Sequence, residues 1–234
     1  MKKISLLKLL SVAIFVTATF TSCDEPDIST VTIRANDVQG IGTGRIATVE
    51  AVIYDNFNDR VFIVGEASFQ NRGFNMRLAT DIPSSFLIPL YDTFESGVRN
   101  LSISNRSANV ARIWRLEAFD RDGNFTGFLV SVADTNTAFY EMAWYFVDSP
   151  VTVRGTIVDE RENFENFDLN LRRGWNVVFV REEEGRGSIT RTYTTRRPNN
   201  VDFWWNFWNW NPSVGDLTTT SEESRSSNSI FTRR

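Results

Sequence analysis

The chain contains no histidine, one cysteine, and no lysine after Lys8. Each absence removes a class of chemistry. Without imidazole there is no Ser-His or Cys-His nucleophile activation, and no His-ligated zinc or haem. A lone cysteine closes neither an intramolecular disulfide nor a thiolate cage. Lys2, Lys3 and Lys8 all precede the body, which therefore has no Schiff-base or P-loop lysine and takes its positive charge from arginine. Carboxylates, hydroxyls, guanidinium groups and aromatic rings are left, the last including 19 Phe, 7 Trp and 5 Tyr. Hydrophobic residues make up 41% and charged residues 23% of 234, which is globular composition and room for one domain or two small ones.

The N-terminus reads as a secretory signal. Lys2 and Lys3 form a basic start, Leu6 to Phe20 is mostly apolar and short for a spanning helix, and Phe20-Thr21-Ser22-Cys23 follows. That tetrapeptide resembles a bacterial lipobox, with Phe20 in the slot that is usually Leu. The resemblance implies cleavage after residue 22 and acylation of Cys23, whose acyl chains would anchor the domain at about 0.8 kcal/mol per buried CH₂. The mature chain then carries 22 arginines against 29 acids, a net charge of −7. Such acidity argues against nucleic acid as a partner and against adhesion to anionic headgroups, leaving the acyl chains as the membrane contact. Residues 23–29 are an acidic linker whose Asp24-Glu25-Pro26-Asp27 run either is a solvated spacer or resembles the export tag of surface lipoproteins.

From residue 30 to 212 the pattern is strand after strand. Thr48–Tyr54, Val61–Phe69, Val110–Phe119, Phe125–Ala133, Val151–Val158, Phe167–Leu171, Trp175–Val180 and Ile189–Thr195 are β-branched and aromatic, and turn clusters separate them. Asp122-Gly123 between two such runs is a hairpin signal. Thr135–Val147 could be written as a helix, but its aromatic content and the Asp148-Ser149-Pro150 stop favour a strand. The expected fold class is all-β, an antiparallel β-sandwich. It is either one large sandwich or two small ones in tandem, since Asn71–Leu78 weakly echoes Glu165–Leu171 and would place a junction near 135–150. Residues 213–234 are Ser/Thr-rich and are expected to form a disordered tail.

Val151-Thr152-Val153-Arg154-Gly155, Phe167-Asp168-Leu169-Asn170-Leu171, Gly174-Trp175-Asn176-Val177-Val178, Tyr193-Thr194-Thr195 and the aromatic strand after Pro198 together resemble the C-terminal half of a group of secreted bacterial β-sandwich lipoproteins. The resemblance spans about residues 110–208 and implies location and fold, without a reaction.

No metal site or cofactor is expected. Asp120-Arg121-Asp122-Gly123-Asn124 has oxygen ligands at alternate positions, but glycine is fourth and the twelfth position is Ser131, so it departs from a calcium loop and reads as a turn. Asp159-Glu160-Arg161-Glu162 and Glu182-Glu183-Glu184 read as solvated acidic loops. A pair of carboxylates acting as a glycosidase is the single enzyme class left standing, and no acid sits in a distinctive motif.

The most unusual stretch is Phe203-Trp204-Trp205-Asn206-Phe207-Trp208-Asn209-Trp210. On a strand, Trp204, Asn206, Trp208 and Trp210 form one row, and Phe203, Trp205 and Phe207 the other. The second row is expected in the core. The first either packs, docks an envelope protein, or binds a glycan, with CH groups stacked on indole and hydroxyls taken by the amide. The expectation is a lipid-anchored outer-membrane protein of the cell envelope, on its periplasmic or its outer, surface-exposed face, an interaction or structural module rather than an enzyme. The alternative is a surface glycan-binding lipoprotein that uses the Trp-rich strand.

Overall fold

β-branched and aromatic residues favour strands, and the computed structural model has fifteen among the residues it describes. It describes residues 28–54, 61–94, 98–159, 162–185 and 187–210. Cys23, the tail 213–234 and most of the acidic linker lie outside the described residues. In chain order the strands are β1 (Thr32–Ala35), β2 (Thr48–Tyr54), β3 (Val61–Ser68), β4 (Phe74–Arg77), β5 (Ile88–Pro89), β6 (Val98–Ile103), β7 (Asn109–Ile113), β8 (Leu116–Phe119), β9 (Phe125–Asp134), β10 (Phe139–Val147), β11 (Val151–Val158), β12 (Phe164–Leu171), β13 (Gly174–Glu184), β14 (Ile189–Thr194) and β15 (Trp204–Asn209). Three single 3-10 turns interrupt them, and no α-helix occurs among the described residues.

The architecture is an all-β, predominantly antiparallel sandwich. β1 and β4 pair with each other, and the other thirteen strands form one branched hydrogen-bonded network. One pair departs from the antiparallel rule. β14 slots between β13 and β12 and runs parallel to β12, with Phe167 opposite Tyr193.

β10 explains how the layers stack. Ala143, Trp144, Tyr145, Phe146 and Val147 are all buried, as expected for a strand covered on both faces. Trp144 and Phe146 enter a first core with Val49, Ala51, Val64, Met76, Leu129, Trp175 and Trp205. Ala143, Tyr145 and Val147 enter a second core with Val153, Phe167, Leu169, Leu171, Val178 and Tyr193. Two apolar cores thus share β10 and its partner β13, one on each side.

The run read as one strand over 110–119 is broken at Trp114-Arg115. β7 pairs with β10, with Ile113 opposite Trp144, while β8 pairs with β9, with Leu116 opposite Leu129. The break is needed because β9 and β10 pair only from Asp134/Phe139 to Val132/Glu141 and then part. Asp120–Asn124 is the expected hairpin turn. Asp120 Oδ1 accepts from the backbone N–H groups of Asp122 and Asn124 at 2.9 and 2.8 Å, and Gly123 takes φ 80°. These hydrogen bonds hold the Asp120 carboxyl below its ordinary pKa.

The Gly174-Trp175-Asn176 motif has a structural task. Asn176 Nδ2 donates to the carbonyls of Arg172 and Gly174 at 2.7 and 2.9 Å, and its Oδ1 accepts from Arg172 N at 2.9 Å, which closes the tight link from β12 to β13. Trp175 Nε1 donates to Ala79 O at 2.6 Å, so its ring lies fully in the first core. Gly174 has φ 92°, and a Cβ there would stand 2.5 Å from Ser29 O, so glycine lets the N-terminal segment lie against the turn.

Candidate functional site

β15 is placed by hydrogen bonds on both edges. One edge pairs antiparallel with β9, from Trp204 opposite Val132 to Asn209 opposite Gly127. On the other, Gln39 N donates to Trp205 O and Phe207 N donates to Gln39 O, each at 2.8 Å. Gly127 is required at the crossing: its φ is 153°, and a Cβ would lie 2.2 Å from Trp208 O.

The two rows of β15 have opposite fates. Trp205 is 8% exposed and Phe207 4%. Trp205 stacks on Trp144 with centroids 5.8 Å apart, meets Phe74 edge-on at 5.2 Å, and donates from Nε1 to Arg34 O at 3.0 Å. Phe203 is half-buried against Phe179, with centroids 5.5 Å apart. On the other row Trp204 and Asn206 are half-buried, while Trp208 is 44% and Trp210 59% exposed. A strand whose inner row already fills a core thus leaves Trp208 about half exposed on its outer row, and Trp210, one residue past its end, more so.

Register carries that outer row across the sheet. Directly opposed residues of antiparallel strands share a face. Trp208 opposes Phe128 on β9, Phe128 opposes Glu117 on β8, Glu117 opposes Glu50 on β2, and Glu50 opposes Glu66 on β3. The Tyr54 hydroxyl donates to Glu117 Oε1, and the Arg115 guanidinium lies 3.7 Å from the centroid of Phe128. Partial burial and then its neighbours Glu66 and Glu117 raise the Glu50 pKa. Partial burial and the Glu117 bond push the Tyr54 phenol up to about 12.

A second polar cluster lies where β9 and β10 part, and it carries no motif. Glu141 sits on the second-core side of β10. Desolvation, then Glu182, push its pKa up to about 7 against the pull of Arg191 and Arg115. Arg191 Nε bonds Glu182 Oε2 at 2.6 Å, so Glu182 is an inward strand residue of β13 rather than part of a solvated loop. Deeper in, Arg112, Tyr145, Glu165 and Tyr193 border a cavity of about 10 Å³, room for one water and too small for a sugar. Burial drives the Tyr145 phenol up to about 12 and the Tyr193 phenol well above its ordinary range. Sequence reasoning passed over this cluster. Its one signal is a charged residue at an inward position of an apolar strand, as Arg112 is within Val110–Ile113.

Among the described residues no three Asp, Glu, His or Cys side chains converge as a metal ion needs. No described helix is long and apolar enough to cross a membrane. Comparison with family models, with curated proteins and with solved structures finds no match for this chain.

Proposed function

We propose that this chain is a lipid-anchored protein of the cell envelope, held to the outer membrane by acyl chains on Cys23, which binds a glycan on the outer face of β15 without converting it. The supporting observation is a pair of exposed indoles, Trp208 on the outer row of a strand whose inner row is spent on the core and Trp210 just past its end. Leaving two indoles about half exposed forgoes part of the roughly 1.5–3 kcal/mol that full burial of a large apolar side chain contributes. Asn206 on the same row offers an amide donor and acceptor for hydroxyls, and indole faces suit the CH faces of sugar rings. Trp208 and Trp210 would be the stacking platform, with Trp204 and Asn206 lining its inner end.

The lack of histidine and of any body lysine supports binding over catalysis. The test is retention of the full chain on gels carrying neutral polysaccharides. The wild type should be retarded by at least one polymer, and the double variant Trp208→Ala/Trp210→Ala should run free while still unfolding in one cooperative thermal transition. Equal migration of the two proteins on every polymer defeats the glycan reading.

A further inference from the structure

We propose that the glycan taken by this face is an uncharged one, and that the Glu66, Glu50 and Glu117 carboxylates, aligned in one cross-strand row with Phe128 and Trp208, reject anionic chains. This rests on the glycan reading above and adds the class of ligand. The row spans β3, β2, β8, β9 and β15. Neighbouring strands lie about 4.8 Å apart, so its four steps make about 19 Å, the length of a short oligosaccharide. A chain stacked on Trp208 and following the row therefore runs over the three glutamates.

The acids on that path oppose one another. Like charges directly opposed on neighbouring strands destabilise a sheet, and here Glu66 faces Glu50 and Glu50 faces Glu117. A fold selected for stability alone gains nothing from that arrangement. Arg115 is a cation on that path: its guanidinium lies over Phe128 and is near Glu117, Tyr54 and Glu141. A uronic or sulfated unit on the row would pass over three carboxylates for the one guanidinium, Arg115, that lies over Phe128. A neutral unit can instead donate its hydroxyls to those same oxygens, which are strong acceptors. Discrimination then comes from the repulsive element rather than from a new attraction.

The experiment uses the full chain on gels carrying neutral polysaccharides (β-glucan, mannan, xylan, dextran) and one anionic polymer, alginate, at low ionic strength. The wild type should bind a neutral polymer and pass alginate unretarded. Glu50→Gln/Glu66→Gln/Glu117→Gln should raise alginate binding, relative to the same variant's binding of the neutral polymer, about tenfold. Glu50→Gln/Glu66→Gln, which leaves the Tyr54 contact intact, should gain part of that and guards against misfolding of the triple variant. Wild-type binding to alginate as tight as to the neutral polymer overturns the proposal, and so does a folded glutamine variant with no gain. Failure of the wild type to bind any polymer overturns the glycan reading itself, and this inference with it.

Discussion

Truncating Trp205 should cost far more stability than truncating Trp208, although three residues separate them on one six-residue strand. Trp205 is 8% exposed, stacks on Trp144 at 5.8 Å, meets Phe74 at 5.2 Å, and satisfies Arg34 O through Nε1. Trp205→Ala removes a buried indole and leaves a cavity that β9 and β1 cannot both close, since each is pinned by its own ladder. Buried Phe or Trp to Ala costs about 3–5 kcal/mol, and the stacked and edge-on rings place this site in the upper half, at about 4 kcal/mol. Trp208, at 44% exposure, should cost under about 1 kcal/mol. With a urea m-value of about 2–3 kcal/mol/M, Trp205→Ala should move the unfolding midpoint down by roughly 1.3–2 M, against under about 0.5 M for Trp208→Ala. Equal shifts, or a larger one for Trp208→Ala, refute the assignment of the rows and remove the basis for an open binding row.

Glu141 makes stability fall as pH rises. Its folded pKa of about 7 lies above the ordinary 4.5, so its contribution is complete below 4.5 and is lost as pH climbs through 7. Thermal melts from pH 5 to pH 8 should show a loss on the order of 3 kcal/mol that Glu141→Gln flattens; parallel profiles for both proteins would contradict this. Gly127→Ala should cost at least about 2 kcal/mol, because φ 153° and a carbonyl 2.2 Å from the new Cβ both oppose it. A melting temperature within a degree of wild type would show that β15 does not cross there. Labelled fatty acid should enter the wild type and not Cys23→Ser, and equal labelling would end the lipoprotein reading.

How far the sequence carried the fold depended on local pattern. Thr48–Tyr54 and Val151–Val158 were legible to the residue, because alternation and turn signals agree there. Ile33 and Ala35 of β1, Met76 of β4, and the two-residue β5 were not, since four residues or fewer carry too little periodicity to distinguish strand from loop. The break at Trp114-Arg115 was invisible because it arises from the parting of β9 and β10, a tertiary event. Glu182-Glu183-Glu184 read as a loop because three acids look solvated. Arg191 on one face and Arg181 on the other pair with Glu182 and Glu183 and allow the run to stay in a strand. Of the site, the two rows of β15 followed from period-two geometry alone. The alignment of Trp208 with Phe128 and three glutamates did not, because register between distant strands is written in no single segment.

The most direct test of the account is oxidative footprinting of the tryptophans, read residue by residue by mass spectrometry, with and without a neutral polysaccharide that retards the chain. Trp208 and Trp210 should oxidise fast in the free protein and Trp144, Trp175 and Trp205 slowly, and the polysaccharide should protect Trp208 and Trp210. Oxidation of Trp205 as fast as that of Trp208, or no change at Trp208 and Trp210 on adding the polymer, would contradict the account.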